Sequence, residues 1–129
     1  MTRRQSTAFE SLHSKYGVEF SQQILDLKKL FERAAPTILE IGFGMGDTLA
    51  TMAINNPEVN YLGIEVHRPG VGSLLATIEE KGINNIRVIC HDAVEVLEQT
   101  IPNQSLVSIH IFFPDPVSYT HLRAHETER

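Results

Sequence analysis

Four short runs of the chain are nearly continuous in Ile, Leu and Val, and each is followed by a stretch that can be helical: Thr37 to Gly42, Asn60 to Val66, Asn85 to His91 and Leu106 to Phe113. Strictly alternating strands keep one face in water, whereas runs this uniformly apolar are expected where helices cover both faces of a parallel sheet. The intervening segments carry helix signals. Asp47 to Ala53 opens directly off a group of glycines, Val71 to Lys81 ends at Gly82 as a C-terminal cap, and Ala93 to Thr100 stops before Pro102. Pro57 and Pro69 mark loops. The pattern predicts an α/β fold, a doubly wound, Rossmann-like sheet of which the first four strands are present. Ahead of it, Ile24, Leu27, Leu30 and Phe31 fall at helical spacing, so Ser21 to Arg33 is expected to be a packing helix with Ser21 as its N-cap. Residues 1–20 read as a polar lead-in with a short helix around Phe9 to His13.

Length and composition bound this picture without changing it. A chain of 129 residues with 42% hydrophobic composition is expected to form one domain. It has no apolar run long enough to span a bilayer and no signal peptide after its first residues, which predicts a cytoplasmic protein. Its single cysteine, Cys90, rules out an internal disulfide and sits in an apolar run, where it reads as a small buried hydrophobe. Net charge does matter. A formal value of -5 speaks against a broad basic surface for nucleic acid.

The candidate chemistry gathers at the strand ends. The first strand runs into Glu40-Ile41-Gly42-Phe43-Gly44-Met45-Gly46-Asp47, a glycine-rich turn from strand to helix, where open α/β sheets bind nucleotide-like ligands. Its G-x-G-x-G spacing differs from the G-x-G-x-x-G of a pyrophosphate site, so a dinucleotide is disfavoured. Acids stand at the ends of three successive strands: Glu40, Glu65 and Asp92. S-Adenosylmethionine carries no phosphate; it offers a sulfonium and an ammonium, a ribose diol and an adenine. Gly42, Gly44 and Gly46 would let the backbone approach it, Glu65 would accept the ribose hydroxyls, and Asp92, followed by Ala93, would meet the adenine amino group. Glu40 would face the cationic end. Asp92 has a simpler reading as the cap of the helix opening at Ala93.

The fourth strand ends in Phe112-Phe113-Pro114-Asp115-Pro116, which holds one carboxylate between two prolines. For a purine acceptor such as guanine N7, which has a free lone pair at neutral pH, methyl transfer would need positioning rather than a base. Asp115 could accept from guanine N1 and N2 and stabilise the charge that develops on the purine, which makes it the candidate catalytic residue. Pro-Asp-Pro is also ordinary turn chemistry.

Together, Glu40 to Gly46, Gly63-Ile64-Glu65-Val66-His67 with Pro69-Gly70-Val71, Cys90-His91-Asp92-Ala93 and Phe112 to Pro116 resemble the successive signatures of bacterial tRNA (guanine-N7)-methyltransferases. The resemblance runs from about Gly17 to Pro116 and implies a class I methyltransferase fold, S-adenosylmethionine as donor and tRNA as substrate. It also implies that Glu40, Glu65, Asp92 and Asp115 are cofactor-binding acids.

Beyond Pro116 the resemblance stops. The family continues with Trp and a basic stretch, whereas Val117 to Arg129 contain neither. The back-translation of this tail through Thr127 is similar to a transposon-end adapter used for sequencing libraries, so it is expected to be non-native. The expected organisation is therefore a lead-in and packing helix over 1–36, the front half of a methyltransferase domain over 37–116, and an adapter tail over 117–129. Arg123 and Arg129 cancel Glu126 and Glu128, so the tail leaves the charge unchanged, and a missing basic stretch accounts for the deficit. An open sheet lacking its later strands is expected to be weakly stable and poorly active. His121 and His125 are spaced like a metal-binding pair, and His67, His91 and Asp92 invite the same thought, but no matched ligand set supports a metal. The competing functions are a small-molecule methyltransferase and a non-catalytic fragment that binds a partner.

Overall fold

A computed structural model describes residues 1–102, 106 and 108–111. Helices α1 (Arg3–Tyr16) and α2 (Leu27–Phe31) precede an alternation of β1 (Thr37–Ile41), α3 (Asp47–Asn55), β2 (Asn60–Ile64), α4 (Arg68–Lys81), β3 (Ile86–Ile89), α5 (Ala93–Gln99) and β4 (Ser108–Ile111). The strands form one parallel sheet in the order β3-β2-β1-β4. This is the expected doubly wound arrangement.

Alternate residues of each strand feed two cores. On one face Tyr61, Ile86 and Val88 pack with Ala8 of α1, Leu49 and Ala53 of α3, and Leu74, Leu75 and Ile78 of α4. On the other, Leu39, Ile41, Leu62, Ile64 and Ile89 pack with Phe31 of α2 and with Val96 and Leu97 of α5. The strands had to be apolar throughout because both faces are covered. Cys90 packs half-buried against the first core, and burial pushes its thiol pKa up.

The N-terminal segment departs from expectation. In place of a short helix at Phe9 to His13, α1 spans fourteen residues and opens on a capping box in which Thr2 and Gln5 satisfy each other's backbone N–H groups. It lies across α4, where Gly72 leaves room for the backbone of Gln5: a Cβ at 72 would sit 2.4 Å from the Gln5 carbonyl oxygen. Arg4 forks onto both oxygens of Glu80, at 2.8 and 2.9 Å. Just past the helix, Val18 N–H donates to the Val88 carbonyl and closes the free side of β3.

The helix expected over Ser21 to Arg33 contracts to Leu27–Phe31. Asp26, not Ser21, caps it by accepting from Lys29 N–H, and Ile24 is exposed. Pro69, expected in a loop, occupies the first turn of α4, where a missing N–H costs no intrahelical bond.

Candidate active site

The turn after β1 is built by three left-handed glycines, with φ of 72° at Gly42, 63° at Gly44 and 87° at Gly46. A side chain would strain each of them. The reason differs by position: a Cβ would point into open space at Gly42 and Gly44, whereas at Gly46 it would lie 2.7 Å from Leu74 Cδ1. Gly42 N–H donates to Ile64 O at 2.9 Å, tying the turn to β2. Above it opens a cavity of about 320 Å³ lined by Gly42 to Thr48. A larger groove, of about 510 Å³, lies away from the turn, between α1 and α4.

Two further contacts hold the turn. Glu65, the first residue past β2, accepts from Gly44 N–H at 2.7 Å through Oε1 and from Val66 and His67 N–H at 3.0 Å through Oε2. A carboxylate oxygen can accept more than one hydrogen bond and Oε1 accepts one here, so Glu65 retains capacity for a ribose hydroxyl. From the other side, the start of α4 presses on the turn at Gly70, where a Cβ would fall 1.9 Å from the Gly44 carbonyl oxygen.

The Glu40 side chain is fully buried, and neither carboxylate oxygen has a hydrogen-bond donor among the described residues. Burial raises its pKa above the ordinary value, and His110 on β4 pulls it back. His110 Nδ1 stands 3.4 Å from Glu40 Oε2, close enough for an ion pair but not aligned as a hydrogen bond.

Asp92 is exposed and caps α5, accepting from Glu95 N–H at 3.1 Å, with Ala93 as the first helical residue behind it. Beside it, His91 stacks on Phe20 with ring centroids 3.7 Å apart and meets Glu95 at 2.6 Å. Asp115, His121 and His125 lie outside the described residues. Glu65 and the three glycines thus share one turn, Glu40 lies buried on β1 two residues before it, and Asp92 stands at the end of the next strand but one. The sequence did not single out His110, and it offered Gly70 only as part of the Pro69-Gly70-Val71 signature, without a role. The first follows from strand register, the second from helix packing, and the one local hint was the Pro69-Gly70 pair.

A buried carboxylate without a donor among the described residues, two positions before a glycine turn held by a second acid, suits a ligand that is cationic near Glu40 and carries hydroxyls near Glu65. S-Adenosylmethionine has both.

A family model described as "Putative methyltransferase" matches residues 34–126. A tRNA (guanine-N(7)-)-methyltransferase of Aeromonas hydrophila subsp. hydrophila is 57% identical over 116 residues, 90% of this chain and 49% of the relative. The enzyme of the same description from Sodalis glossinidius is 56% identical, over 90% of this chain and 48% of its own length. The chain thus spans about half the length of the curated relatives it matches. Among solved structures, an antibiotic-related methyltransferase superposes with a TM-score of 0.61 at 17% identity, covering 83% of this chain and 60% of that one, a likeness of fold.

Proposed function

Since this chain belongs to the methyltransferase family whose model matches residues 34–126, we propose that it is the cofactor-binding part of a cytoplasmic enzyme that methylates N7 of a guanine in tRNA. The cofactor half of this reading rests on Glu40, a buried carboxylate on β1, two residues before the glycine turn, with no hydrogen-bond donor among the described residues. The substrate half rests on the 57% identity to an enzyme of that description.

The cofactor supplies an electrophilic methyl group on a sulfonium. Around it, Glu40 would face the cationic end, and Gly42, Gly44 and Gly46 would let the backbone close on the ligand. Glu65 would hold the ribose hydroxyls while fixing the turn, and Asp92 with Ala93 would meet the adenine. Guanine N7 brings its own lone pair, so no side chain has to generate a nucleophile. Asp115 would orient the purine through N1 and N2 and offset the positive charge it acquires.

The test uses unmodified tRNA and methyl-labelled S-adenosylmethionine with the product of the whole locus. Nuclease digestion and mass spectrometry should place the label in 7-methylguanosine; label on a small molecule, or at another base position, would refute the substrate assignment. Reading that locus without transposon adapters tests the companion proposal that 117–129 is a non-native tail. A frame running from Pro116 into Trp and a basic segment supports it, and a genomic Val117 to Arg129 overturns it.

A further inference from the structure

The strand ends present the parts of the cofactor in order. Asp92, assigned to the adenine, follows β3, and Glu65, assigned to the ribose, follows β2. β1 is next in the sheet, so the methionine end of the ligand falls at the glycine turn, where the cavity of about 320 Å³ opens. That cavity runs past the glycines into the first turn of α3, where Asp47 and Thr48 line it. Resting on the cofactor reading above, we propose that Asp47 is a positioning residue of this site, whose carboxylate accepts hydrogen bonds from the ammonium group of S-adenosylmethionine.

Among the described residues that line the cavity, Gly42 to Thr48, Asp47 alone carries a charged side chain. It is exposed. None of the described residues donates a hydrogen bond to its carboxylate; the Thr51 hydroxyl bonds the Asp47 backbone carbonyl instead. Arg4 is within reach of the Asp47 charge, but its guanidinium forks onto both oxygens of Glu80. The other acids are placed differently. Glu65 already accepts three backbone N–H groups, Asp92 accepts from Glu95 N–H, and Glu40 is buried on β1 and does not line the cavity. Glu40 thus bears on the cationic end from behind the turn, whereas Asp47 meets it from the cavity side.

S-Adenosylmethionine carries two cations at this end, and they differ in what they ask of an acceptor. The sulfonium has no hydrogen to donate and is bonded to the nucleoside itself, which keeps it toward Glu65. The ammonium has three N–H donors and lies at the far end of the methionine chain. A carboxylate that faces the cavity from α3 matches the second. An acid in the first turn of a helix is also favoured by the helix dipole, whatever the ligand. The two roles respond differently when the ligand is changed.

Calorimetric titration of the full chain, wild type and Asp47→Asn, with three ligands separates them. S-Adenosylmethionine has both cations, S-adenosylhomocysteine keeps the ammonium without the sulfonium charge, and 5′-methylthioadenosine lacks the amino-acid end altogether. Losing a hydrogen bond between charged partners should weaken the first two by about tenfold or more and leave the third within about twofold. A loss confined to S-adenosylmethionine would put the contact at the sulfonium and overturn the ammonium assignment. Equal loss for all three would make Asp47 a support of the turn, and unchanged binding of all three would leave it the helix-dipole role alone; either result overturns the proposal while the cofactor reading stands. A wild type that binds none of the three overturns both. Asp47→Ser, whose hydroxyl also suits a helix start, must show the same split, and it carries the test if Asp47→Asn does not fold.

Discussion

Replacing Glu40 by Gln should make the empty chain more stable at neutral pH while removing its ability to hold the cofactor. Glu40 is fully buried without a donor among the described residues, and burial, only partly opposed by His110, raises its pKa above the ordinary 4.5. Between that ordinary value and the raised one, the folded chain keeps a proton that the unfolded chain has lost. Glu40's own contribution to stability is therefore fully present below about pH 4.5 and is lost as pH rises through the folded pKa. An unsatisfied buried polar group costs about 1–3 kcal/mol. The glutamine amide recovers only part of this, because it has its own donors to satisfy, so a net gain of about 1 kcal/mol is expected at pH 7.5, or roughly 3–5 °C in Tm for a chain of this size. Thermal melts followed by circular dichroism at pH 4.5, 6.0 and 7.5 test this directly. The advantage of Glu40→Gln should shrink toward zero at the lowest pH, and saturating S-adenosylmethionine should raise the Tm of the wild type alone. A variant less stable than wild type at pH 7.5, or a gap that does not narrow on acidification, would show that the carboxylate is not the electrostatic burden described above.

Three other substitutions separate the supports of the turn. Gly46→Ala combines a left-handed φ of 87° with a collision against Leu74, and should lower the urea-unfolding free energy by about 2 kcal/mol or more. Glu65→Ala releases three backbone N–H groups at once; it should destabilise the empty chain by about 2–3 kcal/mol and weaken cofactor binding at least about tenfold, which a purely ligand-facing residue would not do. Gly70→Ala, whose Cβ would meet the Gly44 carbonyl, should abolish cofactor binding in calorimetry although residue 70 is not assigned a ligand contact, and binding at wild-type strength would show that the turn can shift freely.

The sheet was legible in the sequence because its strands are covered on both faces and so had to be apolar from end to end. Gly82 ends α4 where its position after Lys81 indicated. The N-terminal segment was not legible in the same way. Few of the α1 residues are apolar, and the partner that orders them, α4, lies some 60 to 70 residues on; the local clue was the Thr2-x-x-Gln5 box. The reverse error occurred over Ser21 to Arg33, where four apolar residues at helical spacing implied a long helix. Asp26 competes as a cap and shortens it, showing that periodicity alone does not set a helix boundary. At the site, the glycines and acids could be read because their chemistry is local. The approach of His110 to Glu40 depends on β4 pairing with β1 rather than β3, and the pressure of Gly70 on Gly44 depends on how deeply α4 is seated; neither is written in any short stretch of residues.

The cross-brace between α1 and α4 also orders events in time. Arg4 finds Glu80 across 76 residues, and Val18 finds Val88 across a similar interval. During synthesis at about 5–20 residues per second, the first helix therefore waits roughly 4–15 s before the surface it packs on leaves the ribosome. Through that interval Phe9 and Leu12 lack the core against which they later pack. Residues 3–16 are thus secured only after α4 has emerged, and until then their apolar side chains are open to capture by a chaperone.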